Sequence, residues 1–416
     1  MNDQNDDGEA FDETETDTET ARWWRMRRWR YSETVLALCT LAFFATMVGR
    51  LAISPVLPLI TEDFGVTNSV VGVAMTGMWM AYFLSQYPSG IFADRYGERP
   101  IILIAVGGTA VTSLFLALSP VFAVFVFGTV ALGAVAGLHY SVATTLLTRT
   151  YDEIGAAIGI HNSGGPAAGL VAPPIAGWVG VTYGWRAAVA IAVPIAILVY
   201  VLFSRFIDPT APRRPNQPMQ ERVDVGAITD LLSRPKIAFP ICLAIAAAFV
   251  WQATSTFLPT FLTEHREQST ELAAVVFASY FVVQAITQVG VGAVSDRVGR
   301  DFATAGCLLL AGIGFVIFVT VPGFEAVVIG VVLVGTGLGW GAALLPRFMD
   351  VLSDAERGAG FGLIRTVYGF IGALGSVATG LFADLFGWGV AFLVLAGLLG
   401  LGFCAILINW LFSLGY

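Results

Sequence analysis

The sequence predicts an all-α polytopic membrane protein with twelve transmembrane helices in two pseudo-symmetric bundles of six. Two observations support this prediction. Hydrophobic residues make up 56% of the 416 residues and charged residues only 12%, against about 25% charged residues in a typical soluble domain. A ten-residue segment also occurs twice, at 90–99 and at 292–301. The chain therefore consists of two related halves of similar length.

Twelve apolar stretches follow one another, each long enough for a helix that crosses a bilayer, which needs about 20 apolar residues. In the first half they lie at about 33–59, 69–92, 100–118, 121–147, 155–180 and 186–204. In the second half they lie at about 236–261, 270–294, 302–320, 323–345, 358–381 and 388–412. We therefore expect an N-terminal bundle at 31–205, a cytoplasmic linker rich in Pro and Arg at 206–235, and a C-terminal bundle at 236–416.

Residues 1–30 are expected to lie outside the bilayer. Nine of the 30 acidic residues fall within the first 20 positions, which predicts a disordered tail. Arginines alternate with tryptophans at 22–30, as in a juxtamembrane anchor, and no apolar core precedes Tyr31 to form a cleavable signal peptide. With the N-terminus inside, eighteen of the 22 cationic residues fall on the cytoplasmic side. We therefore expect a multi-pass protein of the cytoplasmic membrane with both termini in the cytoplasm.

The repeat extends into the fifth and eleventh spans. Five glycines and one tryptophan recur 203 residues later, namely Gly155, Gly159, Gly169, Gly177, Gly184 and Trp185, which correspond to Gly358, Gly362, Gly372, Gly380, Gly387 and Trp388. Small residues let helices approach closely in lipid, so both spans are predicted to be packing helices. Internal symmetry of this kind is typical of many transporter folds.

The first copy of the repeated segment has the pattern Gly-x-x-x-Asp-Arg-x-Gly-x-Arg and resembles the signature loop of the major facilitator superfamily. The two six-span halves, the long central loop and the Gly-Trp-Arg at 184–186 support this resemblance, which covers residues 31–412. It implies a membrane transporter and not an enzyme. It also implies a cytoplasmic gate formed by Gly90, Asp94, Arg95, Gly97 and Arg99, which would bridge to the eleventh helix, and by Asp296, Arg297 and Arg300, which would bridge to the fifth.

Two features of these loops leave alternatives open. Glu98 departs from the family pattern, which usually has a second cation at this position, and local pairing with Arg95 or Arg99 is one expectation. The charged loop residues could also serve only to set the membrane topology. An Asp94→Asn variant with normal transport would favour that simpler role.

Two arginines are predicted to lie within spans, where an ionised side chain costs about 2.5–3.5 kcal/mol on insertion scales. Arg50 lies past the centre of the first span, and Arg365 lies about two turns into the eleventh. The planar fork of arginine matches a carboxylate or phosphate, and no Asp or Glu lies near the middle of a span. We therefore expect a substrate that is an anion. In the alternative interpretation, either arginine hydrogen-bonds to backbone carbonyls or extends towards the interface.

The repeat offset predicts which residues face these arginines at the same depth. Arg50 corresponds to Trp251 and Gln252, and Arg365 corresponds to Asn162 beside His161. The other predicted substrate-binding residues are Tyr82, Gln284 and Tyr368, with Gln86, His139, Tyr140, Tyr280 and Gln288 as further candidates. Histidine titrates near neutral pH, so His139 or His161 could couple transport to protons. Exchange of one anion for another is the alternative form of coupling.

The predicted function is secondary active transport of a small organic or inorganic anion by alternating access. Two alternatives are a proton-coupled exporter of neutral amphipathic compounds, favoured by the many aromatic residues, and a transporter-derived membrane sensor with the acidic tail as its signalling element. The four cysteines lie far apart in apolar runs and lack metal-ligand spacing. We expect a monomer in the lipid bilayer, with a small-molecule substrate and without a cofactor, a metal site or a nucleic-acid partner.

Overall fold

The computed structural model describes residues 30–151, 154–213, 215, 230–353, 356 and 359–416. The predicted acidic tail, the basic anchor up to residue 29 and most of the predicted linker lie outside the described residues. Within these ranges the regular elements are all helical, with no strand. The predicted all-α class is confirmed.

The helices follow one another as consecutive spans, several of which are broken in two. In the N-terminal half, spans one to six are Tyr31–Leu51 with Leu57–Phe64, Asn68–Tyr96, Glu98–Ala117, Phe122–Gly137 with His139–Thr150, Ile154–Asn162 with Gly164–Tyr183, and Trp185–Ala190 with Ala192–Phe206. In the C-terminal half, spans seven to ten are Pro235–Glu264, Thr270–Val298, Arg300–Thr320, and Phe324–Gly337 with Gly341–Val351. The eleventh span consists of Ala359–Gly372 and of the part of the helix Leu374–Leu411 that precedes Gly387. The remainder of that helix is the twelfth span.

Nine helical stretches of the described chain are long and apolar enough to cross a membrane. One of them, Gly360–Leu411, has 52 residues and contains a non-helical residue, Gly387, with a φ of 83°, so it supplies two spans. The nine stretches thus account for ten spans, and the second and fifth spans bring the number among the described residues to twelve. The helices are therefore consistent with the twelve spans that the sequence predicts.

A glycine forms the turn in each copy of the repeated charged segment. Gly97 has a φ of 88° and Gly299 a φ of 97°, a region that residues with side chains rarely adopt. The second and eighth spans can therefore reverse directly into the third and ninth. Gly184 and Gly387 have the same backbone conformation, so these two repeat glycines are turn residues and not packing residues.

The tryptophans of the repeat tie the sixth and twelfth spans to the first and seventh. The indole N–H of Trp185 donates to Asp63 at 3.1 Å, and that of Trp388 donates to Glu264 at 2.6 Å. Both carboxylates lie at the ends of the spans that they anchor. The repeated Gly-Trp dipeptide thus encodes the same turn and the same hydrogen bond in each half.

The two halves meet where the second span packs on the eleventh, the fifth on the eighth, and the first on the seventh. A methyl group added at Gly380 would lie 2.5 Å from the Asn68 carbonyl oxygen, and one at Gly169 would lie 2.4 Å from the Phe281 ring. Only hydrogen fits at these positions. The fifth and eleventh spans are therefore packing helices, as predicted from the repeat.

These tight contacts lie towards one end of the bundle. We call it the closed end, and the end that carries residues 94–99 and 296–301 is called the loop end. At Gly90, Gly159, Gly290 and Gly362, on the loop-end parts of the same four spans, an added methyl group would meet nothing within 4 Å. The described structure is therefore closed at one end and open at the other.

Asp384 caps the second span from the opposite half, at the closed end. Its carboxylate accepts hydrogen bonds from the backbone N–H groups of Asn68 at 3.1 Å and Ser69 at 2.7 Å. Asp384→Ala should weaken the closed state by about 0.5–2 kcal/mol, the usual cost of losing an N-cap. The thiol of a Ser376→Cys substitution, at a position buried between the halves here, should then react faster with a thiol reagent in the purified protein.

The control for this prediction is Ser269→Ala, which removes the cap of the eighth span within its own half. It should lower stability but leave the labelling rate unchanged. Both variants are compared after replacement of Cys242 and Cys404, the two exposed native thiols among the described cysteines. Equal labelling rates in the two variants would contradict a role for Asp384 in closure.

Candidate functional site

A cavity of about 370 Å³ lies between the two halves, a volume within the range of small-molecule sites. Its wall is formed by the first, second, fourth and fifth spans and by the seventh, eighth, tenth and eleventh. The structure places eight of the nine predicted substrate-binding residues on this wall, namely Arg50, Tyr82, Asn162, Trp251, Gln252, Gln284, Arg365 and Tyr368. The further candidates Tyr140 and Gln288 also line it.

His161 is the predicted site residue that lies behind the wall. It is fully buried, and its ring centroid is 5.4 Å from that of Phe43, 5.9 Å from that of Tyr140 and 5.4 Å from that of His139. No described group reaches hydrogen-bond geometry with the nitrogens of either imidazole. The repeat offset predicted the depth of His161, whereas its direction around the helix axis depends on packing.

Arg50 is only 1% exposed, and its guanidinium lies over the ring of Tyr82 at 4.0 Å and beside Trp79 at 5.1 Å. Nε donates to the Thr46 carbonyl oxygen at 3.2 Å, and Nη2 contacts the Met47 sulfur at 2.7 Å. Arg50 therefore makes one of the backbone hydrogen bonds that the alternative interpretation of the sequence predicts. Nη1 is buried and has no hydrogen-bond partner among the described residues, so this donor is unsatisfied in the described conformation.

Arg365 lies over the ring of Tyr140 at 4.4 Å, and its Nε is buried without a partner among the described residues. The Tyr140 hydroxyl donates to Asn162 Oδ1 at 3.1 Å. The face of an aromatic ring attracts a guanidinium, so the tyrosines hold both cations in place. Each arginine keeps at least one free donor.

Much of the remaining wall is aromatic. Trp79 meets Trp251 edge to face at 5.5 Å, and Trp340 meets Tyr368 in the same way at 5.8 Å. The wall also contains Phe43, Phe83 and Phe281. Sequence reasoning missed these phenylalanines, because an apolar residue inside an apolar span carries no distinguishing signal. Proximity to a predicted polar residue, as for Phe83 beside Tyr82, was the only available indication.

None of the described residues that line the cavity is acidic. Two guanidinium groups therefore face it without a compensating carboxylate, and a buried charge without a partner is costly. A bound anion would supply the missing charge. Within the described ranges, no group of three or more His, Cys, Asp or Glu residues could hold a metal ion.

At the loop end, Glu98 forms an ion pair different from the one that the sequence suggested. Its carboxylate accepts from Arg149 Nη1 at 2.6 and 2.9 Å, and Arg213 Nε lies 4.0 Å away. The expectation of local pairing with Arg95 or Arg99 is wrong, because Arg99 donates instead to the Ser204 carbonyl at 2.6 Å and Arg95 is exposed over Tyr96. Glu98 joins the start of the third span to the end of the fourth.

The second half contains the same bridge with inverted charges. Arg300, which corresponds to Glu98 in the repeat, contacts Asp350 at the end of the tenth span at 3.4 Å. Asp301, which corresponds to Arg99, pairs with Arg347. In the first half the acidic residue, Glu98, starts the third span and its cation, Arg149, ends the fourth. In the second half the cation, Arg300, starts the ninth span and the acidic residue, Asp350, ends the tenth. Both halves therefore keep one opposite-charge pair, with the two signs exchanged.

The gate residues do not bridge the halves through Arg99 or Arg300 in this conformation, since both contact their own half. Arg95 and Arg297 are exposed. An open loop end separates these loops from the opposite half. The cross-half gate stays a prediction for the conformation in which the loop end is closed.

Glu98→Gln should destabilise the protein more than Asp350→Asn. Glu98 is 1% exposed, so its loss leaves Arg149 partly buried without its anion, at a cost of about 1–3 kcal/mol. The side chains of Arg300 and Asp350 are 27% and 58% exposed, and exposed pairs contribute about 0–1 kcal/mol. Thermal unfolding of both variants in the same detergent measures the difference. Equal losses of Tm would contradict the inferred importance of burial.

Glu356, which precedes the eleventh span in the chain, forms an ion pair with another part of the same half. Arg234, at the start of the seventh span, contacts Glu356 at 2.9 Å. Hydrogen bonds from the Ser353 side chain and backbone, together with the pair to Arg234, lower the pKa of Glu356. The carboxylate thus stays ionised at neutral pH, and the pair links Glu356 to the start of the seventh span.

Two six-span halves around a central cavity that opens at one end define a membrane transporter of two-fold pseudo-symmetry. The family model of the Major Facilitator Superfamily matches residues 39–343 and 242–414. The chain therefore belongs to the major facilitator superfamily. Its fold and relatives are those of multi-pass membrane transporters and not of enzymes.

Several named proteins resemble the chain over most of its length. The hexuronate transporter of Bacillus subtilis is 23% identical, over 88% of this chain and 91% of its own. The transcription regulatory protein OpdE of Pseudomonas aeruginosa is 28% identical, over 88% and 90%. The "Probable sulfoacetate transporter SauU" of Cupriavidus necator is 23% identical, over 88% and 91%. The multidrug resistance protein MdtG of Enterobacter lignolyticus is 23% identical over 66% and 68%.

Among solved structures, a bacterial homolog of the human lysosomal transporter Spinster superposes with a TM-score of 0.79. The two sequences are 16% identical, and the match covers 91% of this chain and 96% of the other. That structure is in an inward-facing, unoccupied conformation. The similarity shows a shared fold.

Proposed function

We propose that this protein is a secondary active transporter that carries a small anion across the cytoplasmic membrane. The proposal is supported mainly by the cavity, which is lined by two arginines from within the spans and by no carboxylate among its described lining residues. The names of two relatives, a hexuronate transporter and a sulfoacetate transporter, support an anionic substrate. The anion would bridge Arg50 and Arg365, one from each half.

The transport cycle we propose is alternating access, with the two halves rocking around the cavity. The loop end, open here, would face the cytoplasm together with both termini, because it carries most of the cationic residues of the described loops. The contacts at Gly169, Gly380 and Asp384 would separate when the closed end opens, and the loop residues would then form the gate. One chain encloses the whole cavity, which supports function as a monomer.

The coupling ion is proposed to be a proton at the His139–His161 pair or, alternatively, a second anion in exchange. Proteoliposomes with a pH gradient and no internal anion distinguish the two. Proton coupling predicts uptake under these conditions, whereas exchange requires an anion inside.

A thermal-shift screen of the purified protein tests the anion proposal. Carboxylates, phosphates, nitrate and neutral or cationic drugs are compared, since a ligand that binds only the folded state raises its apparent stability. We expect stabilisation by at least one anion and none by cationic drugs. A panel in which only uncharged or cationic compounds stabilise the protein would overturn the proposal.

The aromatic wall favours a second candidate, a proton-coupled exporter of neutral amphipathic compounds, and MdtG is a relative named for drug resistance. Binding of a neutral hydrophobic compound that survives loss of both arginines would support it. A transporter-derived sensor, the class that the name of OpdE suggests, would bind its ligand but show no uptake in proteoliposomes.

A further inference from the structure

A hydroxyl of the N-terminal half is inserted into the backbone of the eleventh span. Thr76 of the second span is buried, and its Oγ1 donates to the Ala373 carbonyl oxygen at 3.0 Å. The same Oγ1 accepts from the Val377 N–H at 3.0 Å. Residues 373 and 377 are four apart, so in a regular helix this N–H would donate to that carbonyl directly. Thr76 therefore takes the place of one helical hydrogen bond, at the break between Ala359–Gly372 and Leu374–Leu411.

The fifth span lacks the corresponding hydrogen bond for a different reason. The repeat offset of 203 residues relates Val377 to Pro174, which lies inside a helix of the fifth span. Proline has no N–H, so the bond cannot form there in any conformation. The counterpart of Thr76 in the eighth span, at an offset of 202, is Ala278, which has no hydroxyl. The bond is therefore lost permanently in the fifth span, but in the eleventh only while Thr76 is inserted.

The break in the eleventh span is pinned to the seventh span of its own half. Gln252 Nε2 donates to the Gly369 carbonyl oxygen at 3.0 Å. A methyl group added at Gly372 would lie 2.7 Å from the Ala248 side chain. On the loop-end side of the break the span carries Arg365, which lines the cavity. A change of bend at the break therefore moves Arg365 relative to the rest of the C-terminal half.

We infer that Thr76 is a positioning residue that couples closure of the closed end to the placement of Arg365. This inference rests on the proposed function, in which the second span separates from the eleventh when the closed end opens. Thr76 then withdraws, and the Ala373 carbonyl and the Val377 N–H bond to each other, because buried backbone groups need partners. A side chain inserted into a helix is a known cause of kinks larger than about 20°. The eleventh span thus has two backbone arrangements, and the opposite half selects between them.

Thr76→Val tests the hydroxyl, because it keeps the shape of the side chain. The reporter is Ser54→Cys, whose native hydroxyl donates to the Ser255 carbonyl of the other half at 2.6 Å, in the protein without Cys242 and Cys404. Loss of the buried hydrogen bonds between the halves should make the thiol label at least about 5-fold faster. Thr76→Ser keeps the hydroxyl and should label at the parent rate. Parent-rate labelling in Thr76→Val, or fast labelling in Thr76→Ser, would overturn the inference.

Val377→Pro separates insertion into the helix from a simple bond between the halves. Pro174 shows that proline is accommodated at this level of the related span. Proline disfavours the re-formed helix by about 100-fold or more, whereas the lost hydrogen bond to Thr76 favours opening by only about 2- to 10-fold. The Ser54→Cys thiol should therefore label at least about 10-fold more slowly than in the parent. Faster labelling would reduce Thr76 to a latch and overturn the inference.

A distance within the C-terminal half tests the movement of the segment that carries Arg365. Spin labels are attached at the exposed Lys236→Cys in the seventh span and at Gly362→Cys, where an added methyl group meets nothing within 4 Å. A bend of about 20° over about 15 Å of helix displaces position 362 by roughly 5 Å. Thr76→Val should shift the distance by this amount, and Val377→Pro should keep the parent distance.

Rigid rocking of the two halves leaves a distance within one half unchanged. An unchanged distance in Thr76→Val would therefore overturn the inference, whatever the labelling rates. Both measurements are made without a substrate, so they do not depend on the charge of the transported compound. Stabilisation by uncharged or cationic compounds alone, in the thermal-shift screen, would overturn the anion proposal and leave the role of Thr76 intact.

Discussion

Replacing Arg365 by glutamine is expected to abolish anion binding and uptake, and replacing Arg50 should have the same effect. Each guanidinium lies on a tyrosine ring with a free donor, and the bound anion would be its charged partner. Removing one member of a buried, hydrogen-bonded charge pair costs about 2–5 kcal/mol, or roughly 30- to 5,000-fold in affinity. Titration in detergent and uptake into proteoliposomes measure the two effects.

Two further variants show whether anion binding depends on the charge of Arg365 or on the geometry of its guanidinium. Arg205→Gln removes an exposed arginine at the end of the sixth span and should change nothing. Arg365→Lys keeps the charge but loses the planar fork, so it should bind with an intermediate affinity. Unchanged anion affinity in Arg365→Gln would refute the assignment of the site.

The same substitution has a stability signature in the absence of ligand. Loss of a residue that only packs would lower the Tm, whereas Arg365 has no carboxylate partner on the cavity wall. Removing a charge that lies within a span and lacks a carboxylate partner relieves a desolvation cost. The empty Arg365→Gln protein should therefore unfold at the same temperature as the wild type or higher, while its ligand-induced shift is lost.

The second large effect is expected for Gly380→Ala at the closed end. The added methyl group would lie 2.5 Å from the Asn68 carbonyl oxygen, and backbone cannot move aside as a side chain can. Overpacking of this kind costs about 1–3 kcal/mol, which corresponds to roughly a 5- to 150-fold shift away from the closed end. The Ser376→Cys thiol should then label faster, and transport should slow because one state of the cycle is disfavoured.

Gly362→Ala is the matched control in the same eleventh span. Nothing lies within 4 Å of the methyl group that it adds at the loop end, so labelling at position 376 should be unchanged. In the proposed cycle this region closes when the closed end opens. A Gly362→Ala variant that opened the closed end as strongly as Gly380→Ala would contradict the inferred direction of the motion.

Much of the fold was predictable because membrane helices can be recognised from their apolar composition. In lipid every backbone polar group must be satisfied within its own segment, so long apolar runs become helices wherever they occur. The repeated Asp-Arg segment then fixed the correspondence between the halves. That correspondence placed Trp251, Gln252 and Asn162 at the depths of Arg50 and Arg365, and the structure has all five on one cavity wall.

What the sequence determined by itself was therefore the helical class, the repeat and the presence of two cations without an acidic neighbour inside the spans. Only the tertiary structure decided that Glu98 pairs with Arg149, that His161 lies behind Phe43, and that the bundle is closed at Gly380 and open at Gly362. Hydropathy and repeats specify depth along a helix. Rotation about the helix axis and contacts between distant spans depend on how the side chains of both halves pack together.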